Sequence, residues 1–133
     1  MPSRLPRHDP ADGITDIIEN AERIARYLQG MERIAFETDE RTRDAVERCV
    51  ERVCEAVYRL ADSAEQLMPG HPWADIRSTG NRLRHAYDRI DVNVIWAAAS
   101  HEVPVLAADA RRALTRLEAD QAGQEDNRAK GST

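Results

Sequence analysis

This chain of 133 residues contains few of the residue types that build metal or disulfide sites. Its only two cysteines, Cys49 and Cys54, lie five residues apart in one helical pattern, so they point in different directions and cannot form a disulfide. With no third cysteine, a thiolate metal site is excluded as well. We therefore expect two small apolar core residues, no metal ion or other cofactor, and a cytoplasmic protein.

Long apolar runs and an excess of positive charge are also missing. The first eight residues, 1–8, include no apolar run, and we expect neither a signal peptide nor a membrane span. The formal net charge is -5 and the pI is about 5.4, which argues against a protein that covers a nucleic-acid duplex with basic residues. A local basic site remains compatible with this balance. All 19 basic residues except Lys130 are arginines, which favour bidentate contacts with carboxylates and phosphates.

The apolar residues recur at three- and four-residue steps, and no segment alternates with a period of two for the length of a strand. The longest pattern belongs to a helix that begins among acids at 37–40 and is expected to stop at Met68-Pro69-Gly70. Its heptad-like spacing favours a core helix of a bundle, with a share in a dimer seam as the alternative. The seam consists of Val46, Val50, Val53, Val57, Leu60, Ala64 and Leu67.

Shorter helical patterns surround this one. A first helix is predicted from Gly13 to Gly30, and a second from Pro72 up to a break at Asp91. A last helix is predicted to begin at Pro104. We predict an all-α fold, an up-and-down four-helix bundle with one or two short extra helices.

The two ends of the chain lack this periodicity. Residues 1–11 contain three prolines and are expected to form a flexible arm. Residues 119–133 are rich in Gln, Gly, Asp, Asn and Lys and are expected to form a disordered tail. The bundle is therefore assigned to residues 12–118.

Residues 80–87, Gly-Asn-Arg-Leu-Arg-His-Ala-Tyr, form a basic segment with a histidine in an acidic protein. His85 can exchange a proton near neutral pH, and Asn81, four residues before it, shares its face on a helix. A metal-free ribonuclease needs such a proton donor or acceptor, together with cations at the phosphate in the transition state. The candidate phosphate- or RNA-binding residues are Arg77, Arg82 and Arg84. The alternative is a solvated helix face without catalytic function.

Several motifs, in this order, resemble the HepT-like family of the HEPN superfamily, whose members are small α-helical proteins. The resemblance covers roughly residues 12–118. The residues that carry it are Phe36-x-x-Asp39-x-Arg41-Thr42, then Pro72-Trp73-x-x-Ile76, Asn81-x-x-x-His85-x-Tyr87, Ile90-Asp91 and Val94-Ile95-Trp96.

The resemblance implies a toxin of a toxin–antitoxin module, a ribonuclease that cleaves RNA, including tRNA, without a metal ion at a composite cleft of a homodimer. It also implies a nucleotidyltransferase antitoxin as partner, which silences the toxin by transferring AMP. By position, the resemblance makes His85 and Asn81 the catalytic residues and Tyr87 the acceptor of AMP. The family's arginine falls on Gly80, which has no side chain.

This departure leaves two functional alternatives besides a purely structural helical adaptor. In one, an arginine elsewhere in the segment binds the phosphate and the protein is an active ribonuclease. In the other, the chain is a catalytically inactive HEPN-type bundle that binds nucleotide or docks to a nucleotidyltransferase.

Overall fold

A computed structural model describes residues 9–85 and 90–131, and within these ranges the fold is all-α. Four long helical segments form the predicted bundle, and two short helices, α2 and α4, connect them. The helices are α1 (Pro10–Tyr27), α2 (Arg33–Thr38), α3 (Glu40–Leu60), α4 (Ser63–Leu67), α5 (Trp73–His85), α6 (Val92–Ala97) and α7 (Val103–Gly131), with a π-helical turn (Ala98–Glu102) joining α6 to α7.

The first helix begins three residues before the predicted start at Gly13. Asp9 caps it, because the Asp9 carboxylate accepts a hydrogen bond from the Ala11 backbone N–H at 3.0 Å. Pro10 occupies the first helical position, where its missing N–H costs nothing. Pro10 and Ala11, which the prediction assigns to the arm, therefore belong to α1, and residues 1–8 lie outside the described residues.

The central helix α3 is the core helix of the bundle. Asp39 caps it by accepting hydrogen bonds from the Thr42 backbone N–H at 3.0 Å and the Thr42 hydroxyl at 2.8 Å, and these bonds lower the pKa of the Asp39 carboxyl group. The seam from Val46 to Leu60 is buried against α1, α5 and α7 within one chain. The core-helix interpretation is therefore confirmed, and this part of the seam is not available to a second copy.

The seam helix ends earlier than predicted. It stops at Leu60 because Ala61 has a φ of 52°, in the left-handed region, and a separate short helix, α4, carries Ala64 and Leu67. The heptad-like spacing continues across this break, so the apolar pattern alone does not reveal it.

The last predicted helix boundary is also different. α7 begins at Val103, one residue before the predicted start at Pro104, but α6, the π-helical turn and α7 follow one another without a gap from Val92 to Gly131. A proline within an α-helix lacks one N–H and its ring clashes with the carbonyl four residues earlier. The wider π turn lies immediately before Pro104 and accommodates that conflict.

The structure differs from the expected disordered tail as well, since α7 continues as a helix through residues 119–131. None of these residues is buried, so the helix there has no tertiary packing. Its alanines, glutamines and several of its charged residues have high intrinsic helix propensity, and helix formation needs no burial in such a segment. The sequence composition indicated the lack of packing, not the backbone conformation.

Both cysteines are free and buried in the core, as predicted. Burial raises the pKa of the Cys54 thiol to about 11. Cys54 therefore behaves as a small apolar side chain, and its position on α3 opposite α5 shapes the site.

Candidate functional site

The candidate site lies on α5, whose two sides have opposite surroundings. Trp73, Ile76, Gly80 and Leu83, spaced three and four residues apart, face the core of the bundle. The residues between them point to solvent or towards the flank of α3. The pattern therefore decides which of the predicted site residues can meet a substrate.

Gly80 is a packing residue. It is buried where α5 crosses α3, and a Cβ atom added at Gly80 would lie 2.7 Å from the Cβ of Cys54. Real Cβ atoms do not approach so closely, and the Cys54 Cβ is attached directly to the backbone, so it cannot move aside cheaply. At the position to which the resemblance assigns the family's arginine, α3 and α5 therefore lie too close together for a side chain.

Arg77 is committed to the fold. Its Nη2 donates to the carbonyl oxygen of Ala61 at 3.0 Å and lies 2.5 Å from the Glu65 carboxylate, and its side chain is only 19% exposed. The guanidinium is thus a second donor to the Ala61 carbonyl, which also accepts a hydrogen bond from the Ala64 backbone N–H at 3.2 Å. Arg77 lies one helical turn before Asn81, but its guanidinium is held by these two partners and does not join the other site residues as a phosphate ligand.

Arg84 lies two turns further along the same flank, at the surface. Its Nη1 is 3.0 Å from the Glu55 carboxylate of α3, and its guanidinium carbon is 5.2 Å from the ring centroid of Tyr58. Both the Arg84 and the Glu55 side chains are partly exposed, so this pair is open to competition by another anion.

The outer face of α5 brings the remaining predicted residues together. Asn81, Arg82 and His85 are all exposed, and His85 lies four positions after Asn81 and three after Arg82, one turn further along the helix. Within residues 9–85 and 90–131, none of their side chains forms a hydrogen bond or an ion pair, so all three are available to a ligand. This arrangement places a proton carrier, a cation and an amide donor on one face.

Tyr87 lies outside the described residues, and its prediction as the acceptor of AMP stays a prediction. The same holds for the family-derived roles of Asn81 and His85. For Asn81 and His85 the structure shows that both are exposed and that they share one face of α5.

Sequence reasoning missed the residues of α3 that complete this region. Glu55 and Tyr58 precede Arg84 by many turns of helix and a helix break, and no spacing rule connects them with it. Their one signal is that both are polar or aromatic on the outer flank of a helix whose inner flank is apolar. Pairing them with Arg84 needs the crossing of α3 and α5, which the sequence does not specify.

The described residues offer neither a metal site nor a membrane span. In the described part of the chain, no group of three or more histidine, cysteine, aspartate or glutamate side chains is arranged to hold a metal ion. Among the described helices, none combines the length and the apolar character that crossing a membrane would need.

The chain is thus a small all-α protein that presents a histidine, an arginine and an asparagine together on the exposed face of one helix. The family model described as "Ribonuclease HepT-like" matches residues 17–113, which include the core helices and the candidate site. The chain belongs to the HepT-like ribonuclease family.

Relatives of similar size agree with this assignment. The chain is 30% identical over 95 residues to "Probable ribonuclease HepT" of Thermococcus cleftensis, an alignment that covers 71% of this chain and 86% of the relative. It is 24% identical over 123 residues to "Putative RNase MJ1216" of Methanocaldococcus jannaschii, which covers 92% of this chain and 98% of the relative. No solved structure matches this chain.

Proposed function

We propose that this protein is a ribonuclease toxin that cleaves RNA at the exposed face of α5. The observation that carries the proposal is the placement of His85, Arg82 and Asn81 on one solvent-facing side of α5, in a chain of the HepT-like ribonuclease family. The relatives named as ribonucleases support the same activity. No other face of α5 presents a histidine to solvent within the described residues.

His85 is the proton carrier in this proposal. Cleavage of RNA by its own 2′-hydroxyl requires removal of that proton and protonation of the leaving 5′-oxygen, and an imidazole can perform either transfer near neutral pH. The cleavage needs no metal ion when the charges at phosphorus are stabilised by side chains. The exposed position of His85 at the last residue of α5 gives a strand of RNA access to it.

Arg82 is the arginine best placed for the phosphate. It lies three residues before His85 on the outer face, and its guanidinium has no ion-pair partner among residues 9–85 and 90–131. Arg77 is excluded by its bonds to Ala61 and Glu65, and Arg84 is shared with Glu55. Arg82 thus takes the place of the family's arginine, with Asn81 as an additional donor to phosphate oxygens.

The finer parts of the proposal come from the family resemblance. We propose a homodimer whose two copies together form the cleft, and a nucleotidyltransferase antitoxin that transfers AMP to Tyr87 and thereby silences the toxin. A phosphoester and an adenosine added two residues after His85 would obstruct a strand of RNA there and repel its phosphates. The protein is proposed to act in the cytoplasm.

The test is cleavage of RNA by the purified protein in the presence of EDTA. The His85→Ala variant should lose cleavage by about two orders of magnitude or more, since general acid–base catalysis contributes at least that much. His101→Ala is the matched control, because His101 is another exposed histidine outside the site. Equal cleavage by the wild-type and His85→Ala proteins would contradict the role of His85.

A second function is favoured by one observation, the tight packing at Gly80. If the family's arginine is indispensable, this chain is an inactive bundle that binds nucleotide or docks to a nucleotidyltransferase. The discriminating variant is Cys54→Gly combined with Gly80→Arg, because removing the Cys54 Cβ relieves the 2.7 Å approach. A gain of cleavage from an inactive wild-type protein supports the second function, whereas an active wild-type protein excludes it.

A further inference from the structure

A polar cleft of about 210 Å³ lies between α1 and α3, on the side of α3 that carries Glu55. Charges of both signs line it, because three of its seven residues are arginines and three are carboxylates. The lining residues are Asp16, Glu19, Asn20, Arg23, Arg52, Glu55 and Arg59.

The floor of this α1–α3 cleft is fixed by a buried amide. Asn20 is only 5% exposed, and its Nδ2 donates to the Asp16 backbone carbonyl at 2.9 Å. The Asn20 Oδ1 accepts a hydrogen bond from Nη1 of Arg23 at 3.3 Å. A polar side chain that is buried and bonded at both ends has one orientation, so it holds the Arg23 guanidinium at the cleft.

The charges around the α1–α3 cleft leave arginine groups available. Arg59 is paired with Asp16 at 2.6 Å. Arg52 is exposed and, within the described ranges, has no ion pair or hydrogen bond. Together with Arg84, which reaches the cleft wall at Glu55, four arginines meet three carboxylates in a chain whose net charge is -5.

Glu55 connects the cleft with the candidate site on α5. Its carboxylate lines the cleft and also accepts the hydrogen bond of Arg84 at 3.0 Å. Arg84 directly precedes His85 in the chain. Arg84 therefore lies between His85, its neighbour on α5, and Glu55, which lines the α1–α3 cleft.

We propose that the α1–α3 cleft binds a backbone phosphate of the RNA strand that extends from His85, and that Glu55 occupies the place of a phosphate on Arg84 until RNA arrives. Arg23 and Arg52 donate to the phosphate in the cleft. Because exposed ion pairs such as Arg84–Glu55 are weak, a phosphate can replace the Glu55 carboxylate with little loss. This proposal rests on the proposed function, because it names where the substrate of that site continues.

The test measures binding of a fluorescein-labelled single-stranded RNA oligonucleotide by anisotropy at several salt concentrations. All proteins carry His85→Ala, so that the RNA stays intact. Adding Arg23→Ala and Arg52→Ala should weaken binding about tenfold, as expected when charged hydrogen bonds are removed. The slope of log K against log salt should become shallower by about 0.7 for each phosphate that the variant no longer neutralises.

Matched controls separate the cleft from a general decrease in positive charge. Arg128→Ala with Lys130→Ala removes two charges from the exposed end of α7 and should leave affinity and salt slope close to the parent values. Arg52→Glu, at an exposed position that cannot disturb the Asn20 floor, should weaken binding more than Arg52→Ala. Glu55→Gln should tighten binding about two- to fivefold, because the competing carboxylate is removed.

The outcomes distinguish this proposal from the ribonuclease function. Unchanged affinity and slope in the Arg23→Ala/Arg52→Ala protein, or weaker binding after Glu55→Gln, overturns the cleft proposal even where His85 proves necessary for cleavage. Cleavage that survives His85→Ala overturns the proposed function, and the anisotropy slopes then still decide whether the cleft binds RNA.

Discussion

The two halves of α5 carry the same kinds of residue and use them for opposite purposes. In the first half, Arg77 has only 19% of its side chain exposed, and its guanidinium contacts the Ala61 carbonyl and the Glu65 carboxylate. In the second half, Arg84 lies at the surface beside Tyr58 and Glu55. Arg77 and Arg84 are about two helical turns apart, so they lie on one flank of the helix.

The difference shows that an arginine's function follows from its surroundings on the neighbouring helix. Arg77 meets the Ala61 carbonyl and the Glu65 carboxylate, and its guanidinium binds both in a half-buried setting. Arg84 meets a carboxylate that solvent also reaches, so its partner can be exchanged. The first half of α5 is therefore part of the scaffold, and the second half is part of the site. Substitutions at the junction, in each half and in the preceding turn test this division.

The largest effect is expected at the junction of the two halves, at Gly80. Gly80→Ala should lower the free energy of unfolding by about 1–3 kcal/mol, because the new methyl group overlaps the Cβ of Cys54. Urea denaturation monitored by circular dichroism measures the change.

Gly123→Ala is the control for helix propensity. Gly123 also lies in a helix, α7, but nothing lies within 4 Å of an added Cβ there, so alanine should stabilise by up to about 1 kcal/mol. Two shifts of the same sign would show that propensity, and not the overlap with Cys54, determines the result at Gly80.

The next effect separates the two arginines directly. Arg77→Met keeps the aliphatic stem and removes the guanidinium, and it should cost about 1–2 kcal/mol because a half-buried group loses its bonds to the Ala61 carbonyl and the Glu65 carboxylate. Arg84→Met should cost less than about 1 kcal/mol, as is usual for an exposed pair. Thermal or urea unfolding measures both variants. Equal decreases in stability for Arg77→Met and Arg84→Met would contradict the distinction between the two halves of α5.

The smallest effect concerns the turn that precedes α5. His71 lies 2.5 Å from the Asp109 carboxylate of α7, and hydrogen bonds from Arg112 and then His71 lower the pKa of Asp109 below its ordinary value of 3.8. A carboxyl group with a lowered folded-state pKa stabilises the fold above its unfolded pKa, and this contribution disappears as the pH falls through the folded-state value.

Asp109→Asn should therefore be less stable than the wild type at neutral pH, and the two proteins should converge as the pH falls below 3.8. Denaturant titrations across this range measure the difference. A gap that widens on acidification would show that Asp109 does not stabilise the turn as a carboxylate.

Much of the fold was predictable because it depends on local periodicity. The apolar spacing of α1, α3 and α5 identified the helices and their buried faces, and the two cysteines were correctly assigned to the core. The break at Ala61 and the π turn before Pro104 were not predictable. Both depend on partners from elsewhere in the chain or on a single widened turn, which leave the apolar pattern unchanged.

The candidate site was predictable to the same extent. The shared face of Asn81 and His85 follows from their spacing alone. The selection among three arginines does not, because Arg77, Arg82 and Arg84 differ only in what α3 and the preceding turn present to them. The composition shows that arginines are abundant. Which of them bind within the fold and which lie at the surface depends on how the helices cross.

The close approach of Gly80 to Cys54 also couples the residue types that two positions distant in sequence can have. A protein with a side chain at position 80 needs glycine at position 54 or a wider gap between the two helices, because every other residue at position 54 keeps the Cβ that lies 2.7 Å away. A chimera that places a side chain at position 80 and keeps α3 with Cys54 would therefore bring two Cβ atoms into conflict.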